Sequence, residues 1–237
     1  MLKAITFDLW NTVFDVIDYT EERIDFLTQF LKKGGLSYDK ELIREAYLSA
    51  LKFFTDTWIR EQRHISAERR TEYTLGALGI DLPDTSKKVI VKKFEEIVLN
   101  NPPQLIDGAA SVIKVLHENY KLGLICDSGM SPGRILRAIL RDHKILKYFS
   151  CTIFSDEVGD TKPHPVLFKK ALEKLNVEPT EAIHVGDLLR TDIAGAKAVG
   201  MQAVWFNWKN EQRSKQDIVP DYEIHTLSEL LKILKSV

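Results

Sequence analysis

Cysteine is scarce in this chain: Cys126 and Cys151 are the only two among 237 residues. Both lie in apolar runs, so the expectation is a pair of free, buried thiols in a reducing compartment, and a disulfide framework is excluded. Charge of one sign is lacking too. The 33 Lys and Arg against 34 Asp and Glu leave a formal net charge of -1. That balance gives no whole-chain basic field for nucleic acid or anionic lipid. No apolar run is long enough to span a bilayer. Met1-Leu2-Lys3-Ala4-Ile5 leads into a strand pattern without the extended apolar core of a signal peptide. The expected location is therefore the cytoplasm. What remains is an ordinary globular composition, 44% hydrophobic and 28% charged. The length suits one large domain or two modest ones.

The first apolar run, Ala4-Ile5-Thr6-Phe7, is short, rich in β-branched and aromatic residues, and halted by Asp8, which is the pattern of a buried strand. Helical periods follow. Ile24, Leu27 and Leu31, widened by Phe30, predict a helix that ends at Gly34-Gly35. Ile43, Ala46, Tyr47, Ala50, Leu51 and Phe54 predict a second. Leu75 and Leu78 predict a short third, closed by Gly79. Ile90, Phe94, Ile97 and Val98 predict a fourth, stopped near Asn101-Pro102-Pro103. With no strand signal from about Asp18 to Asn100, this stretch reads as a helical bundle.

Beyond Pro103 helices and strands alternate. Strands are expected at Leu122–Cys126, Cys151–Phe154, Ala182–Val185 and Gln202–Phe206, with a short edge strand at Tyr222–Ile224. The helices between them include one begun by Ser131 as N-cap with Pro132 in the first position, and a last one begun by a Thr226/Glu229 capping box. Polar Lys209 to Pro220 reads as a loop. Alternation of this kind predicts a parallel sheet covered on both faces. The opening strand belongs to it, because alone it could neither bury its faces nor pair its backbone. The fold class is thus α/β: a doubly wound parallel sheet, Rossmann-like, formed by residues 1–16 and 103–237, with an all-helical cap domain, 17–102, inserted after the first strand.

In such a sheet ligands bind at the carboxyl ends of the strands. Here those ends carry Asp8-Leu9-Trp10-Asn11-Thr12, then Cys126-Asp127-Ser128-Gly129, then Gly159-Asp160-Thr161-Lys162-Pro163, then Gly186-Asp187 with Asp192 beyond. Asp8, Asp187 and Asp192 at one sheet end would repel and raise each other's pKa. A hard divalent cation resolves the repulsion, and magnesium is the usual choice where phosphate also binds. Lys162 supplies a fixed positive charge. The turn at Asp127-Ser128-Gly129 can aim backbone N–H groups at an anion. Each residue has a plain structural alternative: Asp8 a strand terminus, Lys162 a surface lysine, Asp192 a helix-surface charge, Ser128 a helix-start donor, Cys126 core, His164 a loop residue. The ordered combination points to phosphoryl transfer with nucleophile, metal, cation and anion cradle.

These four segments, in this order, resemble the four motifs of the haloacid dehalogenase-like hydrolase superfamily, and the inserted helical cap matches as well. The resemblance implies that Asp8 is the nucleophile and a metal ligand, that Trp10 offers its backbone carbonyl to magnesium, and that Lys162 is the motif lysine. It implies Asp187 and Asp192 as the acidic metal pair, the latter reaching the metal through water. Cys126, with Asp127 next, falls where the family has serine or threonine against the phosphate, and Ser128 is placed to compensate. A second departure is Trp10, which stands where family phosphatases have a general acid–base aspartate, a group worth roughly 10²–10⁴-fold in rate.

The implied function is a magnesium-dependent phosphatase acting on a small phosphate ester, as a monomer or small homo-oligomer. Two other readings compete. One is a metal-free 2-haloacid dehalogenase using Asp8, favoured by an aromatic residue at position 10 and opposed by the Asp187/Asp192 pair. The other is a phosphometabolite-binding protein without efficient catalysis. In the cap, Trp58-Ile59-Arg60-Glu61-Gln62-Arg63-His64 either faces the pocket, with His64 as proton donor, or is a solvated helix end with Trp58 packed in the bundle.

Overall fold

The computed structural model describes residues 1–235. In it Ala4-Ile5-Thr6-Phe7 forms strand β1 (Ala4–Phe7), every residue of which is buried. A strand apolar on both faces needs paired neighbours and cover above and below. β2 (Lys121–Cys126) pairs on one side, with β3 (Phe149–Phe154) outside it. β4 (Ala182–Gly186) pairs on the other, followed outward by β5 (Gln202–Phe206) and β6 (Tyr222–Ile224). All pairs are parallel, and the order is β3-β2-β1-β4-β5-β6. The chain thus reverses its winding at β1, and Asp8 follows β1 directly at this switch point, where open α/β sheets bind ligands.

Helices cover both faces. On one, α5 (Ala109–His117), α6 (Gly133–Asp142) and α10 (Leu227–Ile233) press Val112, Ile113, Leu136, Ile139 and Leu230 onto Ile5, Phe7, Leu122 and Leu124. On the other, α8 (Pro165–Leu175) and the short α9 (Ala194–Ala198) pack Leu167, Phe168, Ala171 and Ala196 against Ala4, Ile125 and Ile153. The single-turn α7 (Ser155–Val158) follows β3.

Between β1 and α5 lie α1 (Thr20–Lys33), α2 (Lys40–Glu61), α3 (Ala67–Ala77) and α4 (Asp84–Glu96). Their apolar faces form a separate cluster of Ile24, Leu27, Leu31, Ile43, Tyr47, Leu75, Ile90 and Phe94. Gly35 and Gly79 take φ of 82° and 67° just past α1 and α3, the left-handed conformation that ends helices. No described helix is long and apolar enough to cross a membrane.

Three local expectations need correction. Ser131 is not an N-cap: α6 starts later, its Gly133 N–H is held by the Asp156 carboxylate at 3.0 Å, and the Ser131 hydroxyl donates instead to the Glu95 carbonyl of α4. The Thr226/Glu229 capping box is not closed. Thr226 caps α10 without a side-chain bond to a backbone N–H, while Glu229 accepts the N–H of His225. Leu51, assigned to the buried face of α2, is 38% exposed and belongs to the wall of a cavity.

Candidate active site

The Asp8 N–H donates to the Val185 carbonyl at 2.9 Å, which ties the start of the loop after β1 to β4. The loop then coils on itself. The Leu9 carbonyl accepts from Val13 and Phe14 at 2.9 and 2.8 Å, and Asn11 takes φ 58°, which asparagine tolerates. This brings the Asn11 side chain close to Asp187, where it works against the rise in that carboxyl's pKa. Asp8 itself is buried, and its carboxylate accepts from the buried Lys162 ammonium, which also donates to Asp192 Oδ1 at 2.6 Å.

Asp192 is fixed from every side. Its Oδ1 also meets His184 Nε2 at 3.2 Å, and its Oδ2 accepts from the Leu188 N–H and the Thr191 hydroxyl at 3.1 and 3.3 Å. His184 is wholly buried, which lowers its pKa and keeps the ring neutral. With Nε2–H donating to Asp192, its Nδ1 accepts from the Thr6 hydroxyl at 2.8 Å. Asp192 reaches this position because Leu189–Ile193 forms a π-helical turn ahead of α9. Gly186 leaves the space it needs: a Cβ there would lie 2.3 Å from Asp192 Cγ. Gly186→Ala is therefore expected to push Asp192 off Lys162, with stability falling by about 1–3 kcal/mol in urea unfolding and turnover falling with it.

Asp8, Asp187 and Asp192 each offer an oxygen within 4.8 Å of the others. Burial is the main influence on all three carboxyls. It raises Asp8 well above its ordinary value, with Asp192 and Asp187 adding to the rise against Lys162, and it raises Asp187 to about 7 with help from Asp192. At Asp192 the Lys162 ammonium and His184 override burial and hold the carboxyl well below the usual range. For Lys162, burial opposes the charge, but Asp192 and Asp8 win and its pKa rises. Three carboxyls thus gather near one ammonium, and in the absence of a further cation they oppose one another's ionisation. This oxygen-only donor set fits a magnesium ion.

The second strand end adjoins this group. Asp127 Oδ1 accepts the backbone N–H of Lys162 at 3.0 Å, fixing the lysine loop, and burial raises its pKa. Cys126 is wholly buried in the core cluster beneath, and burial raises its thiol pKa. The Ser128 N–H and hydroxyl both engage Ser155 Oγ, at 3.0 and 3.1 Å. Those two groups brace the turn against α7. His164 caps α8, its Nδ1 accepting from Val166 N–H at 3.4 Å.

The helical region reaches into this site. Trp58 does not pack inside the bundle: its indole N–H donates to Asp127 Oδ2 at 3.1 Å, and the Arg190 guanidinium lies 4.5 Å from its ring centroid. Gln62 and His64 form backbone bonds of 2.8 and 3.0 Å with Thr161 and Gly159, beside an antiparallel bridge between Arg63 and Asp160. The His64 ring meets Ser155 Oγ at 3.0 Å, and burial lowers its pKa to about 4. At neutral pH the ring therefore has no second proton to give as an acid. Trp58→Phe keeps an aromatic face for Arg190 but removes the bond to a carboxylate. A hydrogen bond to a charged group contributes about 1.5–3 kcal/mol, so kcat/KM for a phosphate ester is expected to fall about 10-fold or more.

Sequence reasoning singled out Asp8, Lys162, Asp187 and Asp192, and the fold brings them together. It passed over Thr6, His184, Ser155 and Arg190. Only the polar Thr6 and His184 inside apolar strand runs carried a signal, since a buried polar side chain must find a partner.

The family model for haloacid dehalogenase-like hydrolases matches residues 2–200. A glyceraldehyde 3-phosphate phosphatase from Pyrococcus furiosus is 40% identical over 238 residues, spanning 99% of this chain and 93% of that protein. Among solved structures, a HAD phosphatase from Thermococcus onnurineus superposes with a TM-score of 0.66 at 31% identity over 98% of both chains. A 2-haloacid dehalogenase from Pseudomonas syringae superposes with a TM-score of 0.74 at 26% identity over 100% of this chain and 99% of that one.

Proposed function

Since this chain belongs to the haloacid dehalogenase-like hydrolases, we propose that it is a magnesium-dependent phosphatase of small phosphate esters, working through a phosphoaspartate on Asp8. The observation that carries the reading is the buried pair Asp8 and Asp192 on Lys162, with half-buried Asp187 offering a third oxygen beside them. A free Asp8 oxygen attacks phosphorus, forming an Asp8–phosphate bond as the ester bond breaks, and the leaving oxygen takes its proton from solvent water. Water then attacks the same phosphorus, releases phosphate and restores Asp8. Lys162 orients the Asp8 carboxylate and balances charge on the transferring group. Asp8, the Trp10 carbonyl, Asp187 and Asp192 would hold magnesium, which when bound neutralises the phosphoryl oxygens. The turn Cys126-Asp127-Ser128 lies beside the phosphate, with Cys126 buried beneath it, Ser128 braced by Ser155 and Asp127 fixing the lysine loop. The helices of residues 17–102 act as a cap that shields the reaction from water and selects the leaving group.

Trp10 and the likeness to a 2-haloacid dehalogenase favour the other reading. In that reaction the substrate's carboxylate is one bond from the attacked carbon, and the Asp187/Asp192 charges would repel it. Hydrolysis of para-nitrophenyl phosphate, measured with magnesium and with EDTA, separates the two. Turnover with magnesium and its loss in EDTA is the expected result. Chloride release from 2-chloropropionate that persists in EDTA would replace the phosphatase reading with the dehalogenase one.

A further inference from the structure

Arg70 of α3 is a cation without an acid. Among the described residues no carboxylate pairs with it; its Nε donates to the Ile65 carbonyl at 3.0 Å, and its guanidinium lies 4.9 Å from the centroid of Phe54. Burial, helped by the nearby charge of Arg23, lowers its pKa to about 10. Arg23 is itself buried and also lacks a carboxylate partner among the described residues, its Nε donating to the Phe94 carbonyl at 3.2 Å. A half-buried guanidinium without a carboxylate partner favours the arrival of an anion.

Arg70 lines a cavity of about 220 Å³ between the helical region and the sheet, together with Phe54, Trp58, His64, Asp127 and Thr161. Thr161 is 4% exposed, and its hydroxyl has no hydrogen-bond partner. It precedes Lys162, so this cavity adjoins the group that touches Asp8. The space is large enough for a small organic leaving group.

We propose that this cavity receives the leaving group of the phosphatase, with Arg70 binding a carboxylate on that leaving group and Thr161 hydrogen-bonding to the same molecule. The inference rests on the phosphatase reading above. The planar guanidinium fork matches a carboxylate. The small cavity suits a compact leaving group, and Asp127 in the same wall is already engaged by the Trp58 indole and the Lys162 N–H. The substrate class is thus a phosphate ester of a small hydroxy acid.

Glyceraldehyde 3-phosphate and 3-phosphoglycerate test this, since they differ only by aldehyde against carboxylate. The wild-type enzyme is expected to favour 3-phosphoglycerate in kcat/KM by about 10- to 100-fold, the worth of a charge-assisted bond. In Arg70→Gln that ratio should collapse to within about threefold, chiefly through KM, with Arg70→Lys in between. The ratio is internal to each variant, so a general loss of activity does not mimic the effect. A wild-type preference for the aldehyde, or a preference that survives Arg70→Gln, overturns the proposal while para-nitrophenyl phosphate turnover leaves the phosphatase reading standing. Failure to hydrolyse any of the three esters removes both.

Discussion

Replacing Asp8 with asparagine is expected to lower phosphatase turnover by about 10⁴-fold or more, the scale of losing a covalent nucleophile, without unfolding the protein. An amide has the shape of the carboxylate, and its oxygen still accepts from Lys162, so the loop after β1 keeps its place. What it lacks is a nucleophilic oxygen. The fold has little to lose, because burial and the neighbouring Asp192 and Asp187 already press the Asp8 carboxyl toward its neutral form. The variant should therefore unfold in EDTA at a temperature no lower than the wild type. Retained turnover of para-nitrophenyl phosphate in this variant would mean that the nucleophile lies elsewhere.

The second large effect concerns Lys162, where stability and catalysis are lost together. Its ammonium is the one cation contacting both Asp8 and Asp192 among the described residues, at 3% exposure. Lys162→Met keeps the length and apolar stem but leaves the buried Asp192 carboxylate without its ammonium, beside Asp8. Removing one partner of a buried ion pair costs about 3–5 kcal/mol, and that is the fall expected in urea unfolding in EDTA at neutral pH. Turnover should fall as well, because Asp8 loses the group that orients it. A stability loss below about 1 kcal/mol would show that the ammonium does not offset the buried charges.

The sheet was legible because its strands are short apolar runs that stop at chemically distinctive residues, and because helices separate them at regular intervals. Asp8, Lys162, Asp187 and Asp192 were legible for the same reason: each follows a strand end, and parallel pairing brings those ends together. The contacts that tune them were not. Thr6 and His184 bond to each other across 178 positions, and no local pattern predicts such a pair. The π-helical turn that aims Asp192 sits against Gly186, a contact no local pattern predicts. Ser131-Pro132 has the local chemistry of a helix start, yet Asp156 and Glu95, distant in sequence, claim the groups that would have made the cap. Trp58 followed the apolar spacing of α2 and was for that reason open to assignment to the bundle. Its indole N–H needed an acceptor, and Asp127 of the sheet provides it.

The departure at Trp10 makes the central claim directly measurable. With no carboxylate at position 10 to activate water, breakdown of the phosphoaspartate should be slower than its formation from an ester with a good leaving group. Rapid mixing of enzyme, magnesium and para-nitrophenyl phosphate should give a burst of para-nitrophenol equal to the enzyme concentration, and acid quenching should leave phosphate on the peptide that contains Asp8. Linear release without a burst, together with an Asp8 peptide free of phosphate during turnover, would contradict covalent catalysis by Asp8.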